Sequence, residues 1–228
     1  MISTILLSGG IGSRSGKDLP KQYSFLLGKR IINYCLDSIY ESGLTDELII
    51  VYGEGFLDLL EEILSEYKDK FSTVKFVLGG SSRQESVFNG LKSVTHKTLI
   101  LHEAARPLVT SQDLKKVIFH PAESVTMGLD IPFTVLKQQN GQIVEVLERS
   151  ELFNVQLPQK FNSLELLEAH RMAANSKHFF TDDSSLLFKY NGQVKVIKGS
   201  HENIKITTPG DFTLAENILQ NRENKQEY

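Results

Sequence analysis

Apolar residues along the chain fall into short continuous blocks that alternate with longer amphipathic stretches. Residues 1–7 (MISTILL) are mostly apolar and β-branched, the pattern of a short buried strand. Over 29–42 (KRIINYCLDSIYES) the period changes, and Ile31, Ile32, Cys35, Leu36 and Ile39 share one helical face. Gly43 then suits the end of that helix. ELIIVYG (47–53) predicts a second strand. GFLDLLEEILSEYKDK (55–70) predicts an amphipathic helix with Leu57, Leu60, Ile63, Leu64 and Tyr67 inward. VKFVLGG (74–80) and RQESVFNGLKSV (83–94) repeat the strand–helix order, and TLILHEAARP (98–107) begins as a strand and ends in a loop. Strands alternating with helices of this length predict an α/β fold: a mostly parallel sheet flanked by helices. Ligands of such sheets bind beyond the carboxyl ends of the strands. The loops 8–21, 79–86 and 102–107 belong at that edge.

Beyond about residue 130 the pattern changes. Residues 132–159 contain Asn140-Gly141 between two alternating runs, and Asn-Gly supplies the positive φ angles of a tight hairpin. The chain is therefore expected to be a single domain over 1–228, with 132–159 as an inserted β-hairpin arm. An isolated hairpin is marginal in water, so the arm should pack on something, and a second copy of the chain suits that role. Helices are expected over 162–174 and near 182–190, a strand over 193–199, and a helix over 208–220 that opens with Thr208-Pro209.

Composition narrows the class. The formal net charge of −3 excludes a broad basic surface for nucleic acid. The lone cysteine, Cys35, rules out an internal disulfide framework or a cysteine-rich zinc site, and its apolar setting marks it as a buried core residue. No apolar run reaches the length of a membrane span, and the N-terminus lacks a secretory pattern, so a cytoplasmic protein is expected.

The chemistry concentrates in LLSGGIGSRSGKDLPKQY (6–23). Glycines let backbone N–H groups approach phosphate oxygens, and Arg or Lys neutralises their charge. The loop is neither a Walker A sequence nor an unbroken G-x-G-x-x-G, which argues against a nicotinamide-dependent oxidoreductase. Arg14 and Lys21 are the candidate phosphate cations, while Lys17 reads as a solvated surface charge. Asp182 and Asp183 read as helix N-terminal acids rather than a metal pair, and His102 as a support for its loop.

GGIGSRSGKDLPKQY resembles the signature of the sugar-phosphate nucleotidyltransferases, G-x-G-[ST]-R-x-x…P-K-Q-[YF]. More narrowly, it is similar to the cytidylyltransferases that make CDP-activated polyols. These include enzymes for 2-C-methyl-D-erythritol 4-phosphate and for D-ribitol 5-phosphate. GGSSRQESVFNGL (79–91), HEAARPLV (102–109), ERSELFNVQLPQKF (148–161), TDDSSLL (181–187) and ENIKITTPGDF (202–212) resemble that family's further blocks, in order along the whole chain.

The resemblance implies a Rossmann-like nucleotidyltransferase fold and a Mg²⁺-dependent reaction in which a polyol phosphate attacks the α-phosphorus of CTP. The methylerythritol phosphate is the leading acceptor, ribitol phosphate the alternative, and a catalytically weak nucleotide-binding homologue the rival of another class. It further implies that Arg14, Lys21 and Lys205 neutralise the triphosphate, and that Ser8, Gly9, Gly10 and Gly12 frame it. Gly80, Ser81, Arg83 and Ser86 correspond to positions around the cytosine and ribose. Glu103 stands where the family usually has Asp near Mg²⁺, and Arg106 is expected to fix that loop. Arg149, on the arm, would reach the substrate phosphate of a neighbouring subunit in a homodimer. Leu157 replaces a threonine of the family, which places the two departures, Glu103 and Leu157, at the acceptor end.

Overall fold

The computed structural model describes residues 1–10, 19–67 and 69–226. Strand β1 (Ile2–Ser8) comes first. A 3-10 turn (Lys21–Tyr23) and two short paired strands, β2 (Phe25–Leu26) and β3 (Lys29–Arg30), lead into helix α1 (Ile31–Ser42). Next come β4 (Glu47–Tyr52), α2 (Leu57–Ser65), β5 (Val74–Leu78), α3 (Arg83–Leu91) and β6 (Thr98–Glu103). Helix α4 (Ser111–Ile118) and β7 (Val125–Asp130) precede a hairpin of β8 (Val135–Gln139) and β9 (Gln142–Leu147). A second 3-10 turn (Arg149–Glu151), β10 (Phe153–Asn162), α5 (Ser163–Ser176), α6 (Asp183–Asn191), β11 (Lys195–Lys198) and α7 (Pro209–Gln226) follow.

Seven of the described strands form one sheet in the order β11-β7-β10-β6-β1-β4-β5. Only β10 runs antiparallel to its neighbours, so the expected mostly parallel sheet is present. Successive strand residues bury on opposite faces, as the period of two requires. Leu6, Leu48 and Ile50 pack with α1, α2 and α4 on one face. Ile5, Ile49 and Val51 pack with α3, α5 and α6 on the other. This two-sided burial is why the strands read as continuous apolar blocks.

Three differences from the sequence reading have physical causes. Helix α4 opens with a capping box, Thr110 Oγ1 accepting from Asp113 N while Asp113 accepts from Thr110, a signal present in the sequence but short of a full helical repeat. The hairpin spans only 135–147, and 153–162 instead forms β10 inside the main sheet. Pro158 hides that strand from a sequence reading, because proline interrupts a ladder. The structure accommodates it at a register irregularity between Gln156 and Gln159. The hairpin turn itself is as expected, with φ of 51° at Asn140 and 80° at Gly141.

At the opposite end of the sheet from the strand carboxyl termini, Glu47 is buried to 2 % exposure. Its carboxylate accepts from Ser3 Oγ, Thr95 N and Thr95 Oγ1, and Lys75 Nζ lies 2.5 Å away. Burial works to raise this carboxyl, but the donors outweigh it and bring it down to about 2. A depressed pKa stabilises the fold above the unfolded value and loses that contribution as pH falls through the folded one. Glu47→Gln is therefore expected to lower the unfolding free energy by about 2 kcal/mol at neutral pH. In urea denaturation the gap from wild type should close as pH falls from the ordinary 4.5 toward 2. A gap unchanged across that window would contradict this account.

Candidate active site

The carboxyl ends of β1, β4, β5 and β6 open into one cleft of about 810 Å³. Each strand passes directly into small residues: Gly9-Gly10 after β1, Gly53 after β4, Gly79-Gly80 after β5 and Ala104-Ala105 after β6. At Gly53 a Cβ would stand 3.2 Å from the Gly9 carbonyl, so these two loops are in close backbone contact. The cleft wall is thereby mostly backbone, the surface that phosphate oxygens and a base edge can approach.

The PKQY segment divides its labour residue by residue. Pro20 leads into the 3-10 turn, which points Gln22 and Tyr23 inward. Gln22 Nε2 donates to Ser8 O at 2.6 Å and Gly10 O at 2.8 Å, fixing the base of the glycine loop. Tyr23 is fully buried, stacks on Phe56 at 5.2 Å and takes a 3.0 Å bond from Ser8 Oγ. With its two successors anchored, Lys21 lines the cleft. It also helps hold the nearby Asp211 carboxyl below the usual range, alongside the Thr208 and Thr207 amides and against the effect of burial.

The second loop is stitched to the start of α3. Ser82 Oγ caps the helix by accepting from Glu85 N. Glu85 reaches back to accept from Ser81 N and Ser81 Oγ, and Ser86 Oγ accepts from Gly80 N at 3.0 Å. Gly80, Ser81, Arg83 and Ser86 all line the cleft.

Arg83, the first residue of α3, has a committed guanidinium. Its Nε donates to Glu103 Oε1 at 2.7 Å and its Nη1 to Asp183 Oδ2 at 2.6 Å. Burial opposes its charge, but the two carboxylates hold the proton more firmly than usual. Glu103, at the end of β6, is 6 % exposed, and Lys205 Nζ approaches its Oε2 at 2.7 Å. Burial would raise the Glu103 carboxyl; Arg83 and Lys205 outweigh it and bring it down to about 2.

Lys205 comes from the extended segment before α7. Ile206 is fully buried in a third core cluster with Leu26, Ile31, Leu108 and Ala215, and Ile204 packs against that cluster. Ile206 N donates to Ala105 O at 2.8 Å, while Lys205 between the two isoleucines lines the cleft. Arg106 Nη1 donates to Asn203 O, and His102 Nε2 lies 3.2 Å from Arg106 O, so both residues brace this region as expected.

A family model for 2-C-methyl-D-erythritol 4-phosphate cytidylyltransferase, IspD, matches residues 2–221. The chain belongs to the IspD family. It is 37% identical over 226 residues to the 2-C-methyl-D-erythritol 4-phosphate cytidylyltransferase of Clostridium acetobutylicum, covering 96% of this chain and 98% of that one. It is 33% identical over 232 residues to the enzyme of that name from Clostridioides difficile, covering 100% and 97%. Among solved structures, the 4-diphosphocytidyl-2C-methyl-D-erythritol synthase of Anaerococcus prevotii superposes with a TM-score of 0.85 at 26% identity, over 96% of this chain and 98% of that one. The fold is accordingly the Rossmann-like nucleotidyltransferase fold expected from the resemblance.

Within this IspD-family fold the sequence candidates separate. Gly9, Gly10, Lys21, Gly80, Ser81, Arg83, Ser86, Glu103 and Lys205 come together around the cleft. Gly12, Arg14 and Lys17 lie outside the described residues. Ser8 is 2 % exposed beneath the cleft, its hydroxyl bonded to Tyr23 and its carbonyl to Gln22. Arg149 stands apart, in the exposed 3-10 turn after the hairpin, donating to Pro132 O at 3.1 Å. Asp182 is the expected N-cap of α6, accepting from Ser185 N. Asp183 does more than end a helix, since it holds Arg83, and the sequence pattern alone gave no sign of that long-range pair. Gly53, Glu54 and Thr207 also line the cleft and were missed, because their loops carry no phosphate-binding pattern.

Leu157, the residue that stands in place of the family's threonine, is buried. It is 4 % exposed in the core cluster that contains Leu99, Leu101, Phe161 and Leu187. Leu157→Thr, which restores the family's usual residue, would lose apolar burial and bury a hydroxyl. Thermal or urea unfolding should show a loss of about 2–4 kcal/mol, with kcat no higher than wild type. A raised kcat at unchanged stability would contradict the packing role and mean that position 157 acts on the acceptor.

Proposed function

We propose that the chain transfers CMP from CTP to 2-C-methyl-D-erythritol 4-phosphate and releases pyrophosphate. The observation carrying this reading is the convergence of Lys21 and Lys205 on one glycine-walled cleft in a full-length IspD-family chain. The relatives reported above carry the methylerythritol name, which favours that acceptor over ribitol 5-phosphate. A CTP-consuming enzyme with a single buried, unpaired cysteine suits the cytoplasm.

In the reaction a phosphate oxygen of the acceptor forms a bond to the α-phosphorus of CTP. The bond from that phosphorus to the bridging oxygen of the β-phosphate breaks, and its electron pair leaves with pyrophosphate. The attacking phosphate is already an anion at neutral pH, so no strong general base is required. Catalysis rests on alignment and charge compensation. The Gly9-Gly10 backbone cradles the triphosphate; Lys21 and Arg14 neutralise it; Lys205 meets charge developing at the α-phosphate. Gly80, Ser81 and Ser86 form the nucleoside wall.

For Mg²⁺, Glu103 and Glu54 are the carboxylates lining the cleft among the described residues, in which no three or more His, Cys, Asp or Glu side chains are grouped so that they could hold a metal ion. Mg²⁺ is commonly bound through one or two carboxylates plus substrate phosphates; Glu103 Oε1 already accepts from Arg83 and its Oε2 meets Lys205, so Glu103 would hold Mg²⁺ by sharing those oxygens, with the triphosphate supplying the further ligands. An ion held there would supply positive charge toward the pyrophosphate leaving group. The hairpin argues for a homodimer: Leu136, Ile143, Val144 and Val146 are exposed on a two-stranded unit that pairs only with itself among the described residues. A second copy covering it would bring Arg149 toward the partner's acceptor site.

Pyrophosphate release is measured with CTP, Mg²⁺ and each acceptor separately. Release with the methylerythritol phosphate and none with ribitol 5-phosphate is expected. Release with ribitol 5-phosphate alone overturns the acceptor, and no release with either overturns the enzyme reading in favour of a weak binding homologue. Lys21→Ala should lower kcat by about 10²–10³-fold with an unchanged circular dichroism spectrum.

A further inference from the structure

A run of paired side chains leads from the cleft into the interior behind it. Lys205 meets Glu103, Glu103 meets Arg83, Arg83 meets Asp183, and Asp183 Oδ1 lies 2.9 Å from His170 Nε2. His170, on α5, is 1 % exposed and does not line the cleft. Its ring stacks on Phe88 at 6.0 Å with an interplanar angle of 2°, and its Nδ1 has no hydrogen-bond partner. With the carboxylate as acceptor, the ring places an N–H on Nε2.

Asp183 has two oxygens and two partners. One oxygen takes Arg83; the other takes His170, which fixes the rotation of the carboxylate group. Burial would raise the Asp183 carboxyl, but Arg83 and His170 hold it ionised, below its usual value. Without the imidazole N–H, Asp183 turns, and Arg83 loses one of the two carboxylates that define its plane. Glu103 then loses the partner that orients it toward Lys205. The triphosphate cradle at Gly9, Gly10 and Lys21 belongs to other loops and keeps its own anchors, Gln22 and Tyr23.

We propose that His170 is a positioning residue for the transfer step, acting through Asp183, Arg83 and Glu103 on the placement of Lys205. The inference deepens the cytidylyltransferase reading and rests on it. His170→Phe keeps the ring stacked on Phe88 and deletes the donor; His170→Gln keeps an N–H donor. The full-length chain is assayed by steady-state pyrophosphate release with CTP, Mg²⁺ and 2-C-methyl-D-erythritol 4-phosphate.

His170→Phe is expected to lower kcat about tenfold, with KM for CTP within about twofold of wild type, while His170→Gln returns kcat to within about threefold. In a Lys205→Ala background the cost of His170→Phe should shrink, because the residue on whose placement it acts is gone. If His170→Phe does not fold, Asp183→Asn carries the same comparison, with its loss likewise reduced by Lys205→Ala. Wild-type kcat in His170→Phe, or an unabated loss in the Lys205→Ala background, overturns the inference. So does a His170→Gln variant as slow as His170→Phe. An inactive wild-type protein overturns the cytidylyltransferase reading and this inference together, so the two failures are distinguishable.

Discussion

A negative charge buried at the end of the sheet's middle strand sets the terms for the surrounding site. Glu103 closes β6, which lies between β10 and β1 at the centre of the seven-stranded order. An unpaired carboxylate in such a place would cost several kcal/mol, so the fold must bring cations to it. It brings three: Arg83 from the first turn of α3, Lys205 from the segment before α7 and, at a longer 3.9 Å, Arg106 from the loop after β6. Arg83 then draws in Asp183, and Asp183 draws in His170. The resulting group holds its side chains in place before substrate arrives, which is the form of preorganisation that phosphoryl chemistry uses most.

The rest of the architecture serves the same edge of the sheet. Parallel strands deliver their carboxyl ends side by side, and glycines or alanines follow four of them, leaving backbone exposed where phosphates and a base must approach. The side chains that do enter the cleft come from segments anchored elsewhere. Lys21 is held by the inward turn of Gln22 and Tyr23, and Lys205 by Ile204 and Ile206 in the third core cluster. Alternation of anchored and presented residues places each long, flexible lysine on a short segment rather than on an α-helix or strand of the sheet.

Much of this was legible in the sequence because local rules govern it. Strand and helix periodicity gave the parallel layers, Gly43 ended α1 in a left-handed conformation, and Asn140-Gly141 made the hairpin turn. The three loops read as one edge line one cleft. Other features depend on contacts distant in the chain. β10 was obscured by Pro158, whose place in the ladder exists only because the register shifts there. Leu157 was read from a family pattern, and its burial in one core cluster with Phe161 depends on contacts that no local pattern shows. The Arg83–Asp183 pair joins residues 100 apart, and no periodicity encodes it.

The ionised state of Glu103, held among cations, is what keeps the site in order. A ¹³C NMR titration of side-chain carboxyl carbons, with Glu103 assigned by its absence in Glu103→Gln, measures that state directly. Glu103 is predicted to stay ionised through the ordinary carboxylate range, with a midpoint of about 2. A midpoint at or above the ordinary 4.5 would mean that Arg83 and Lys205 do not hold it, and would contradict the account.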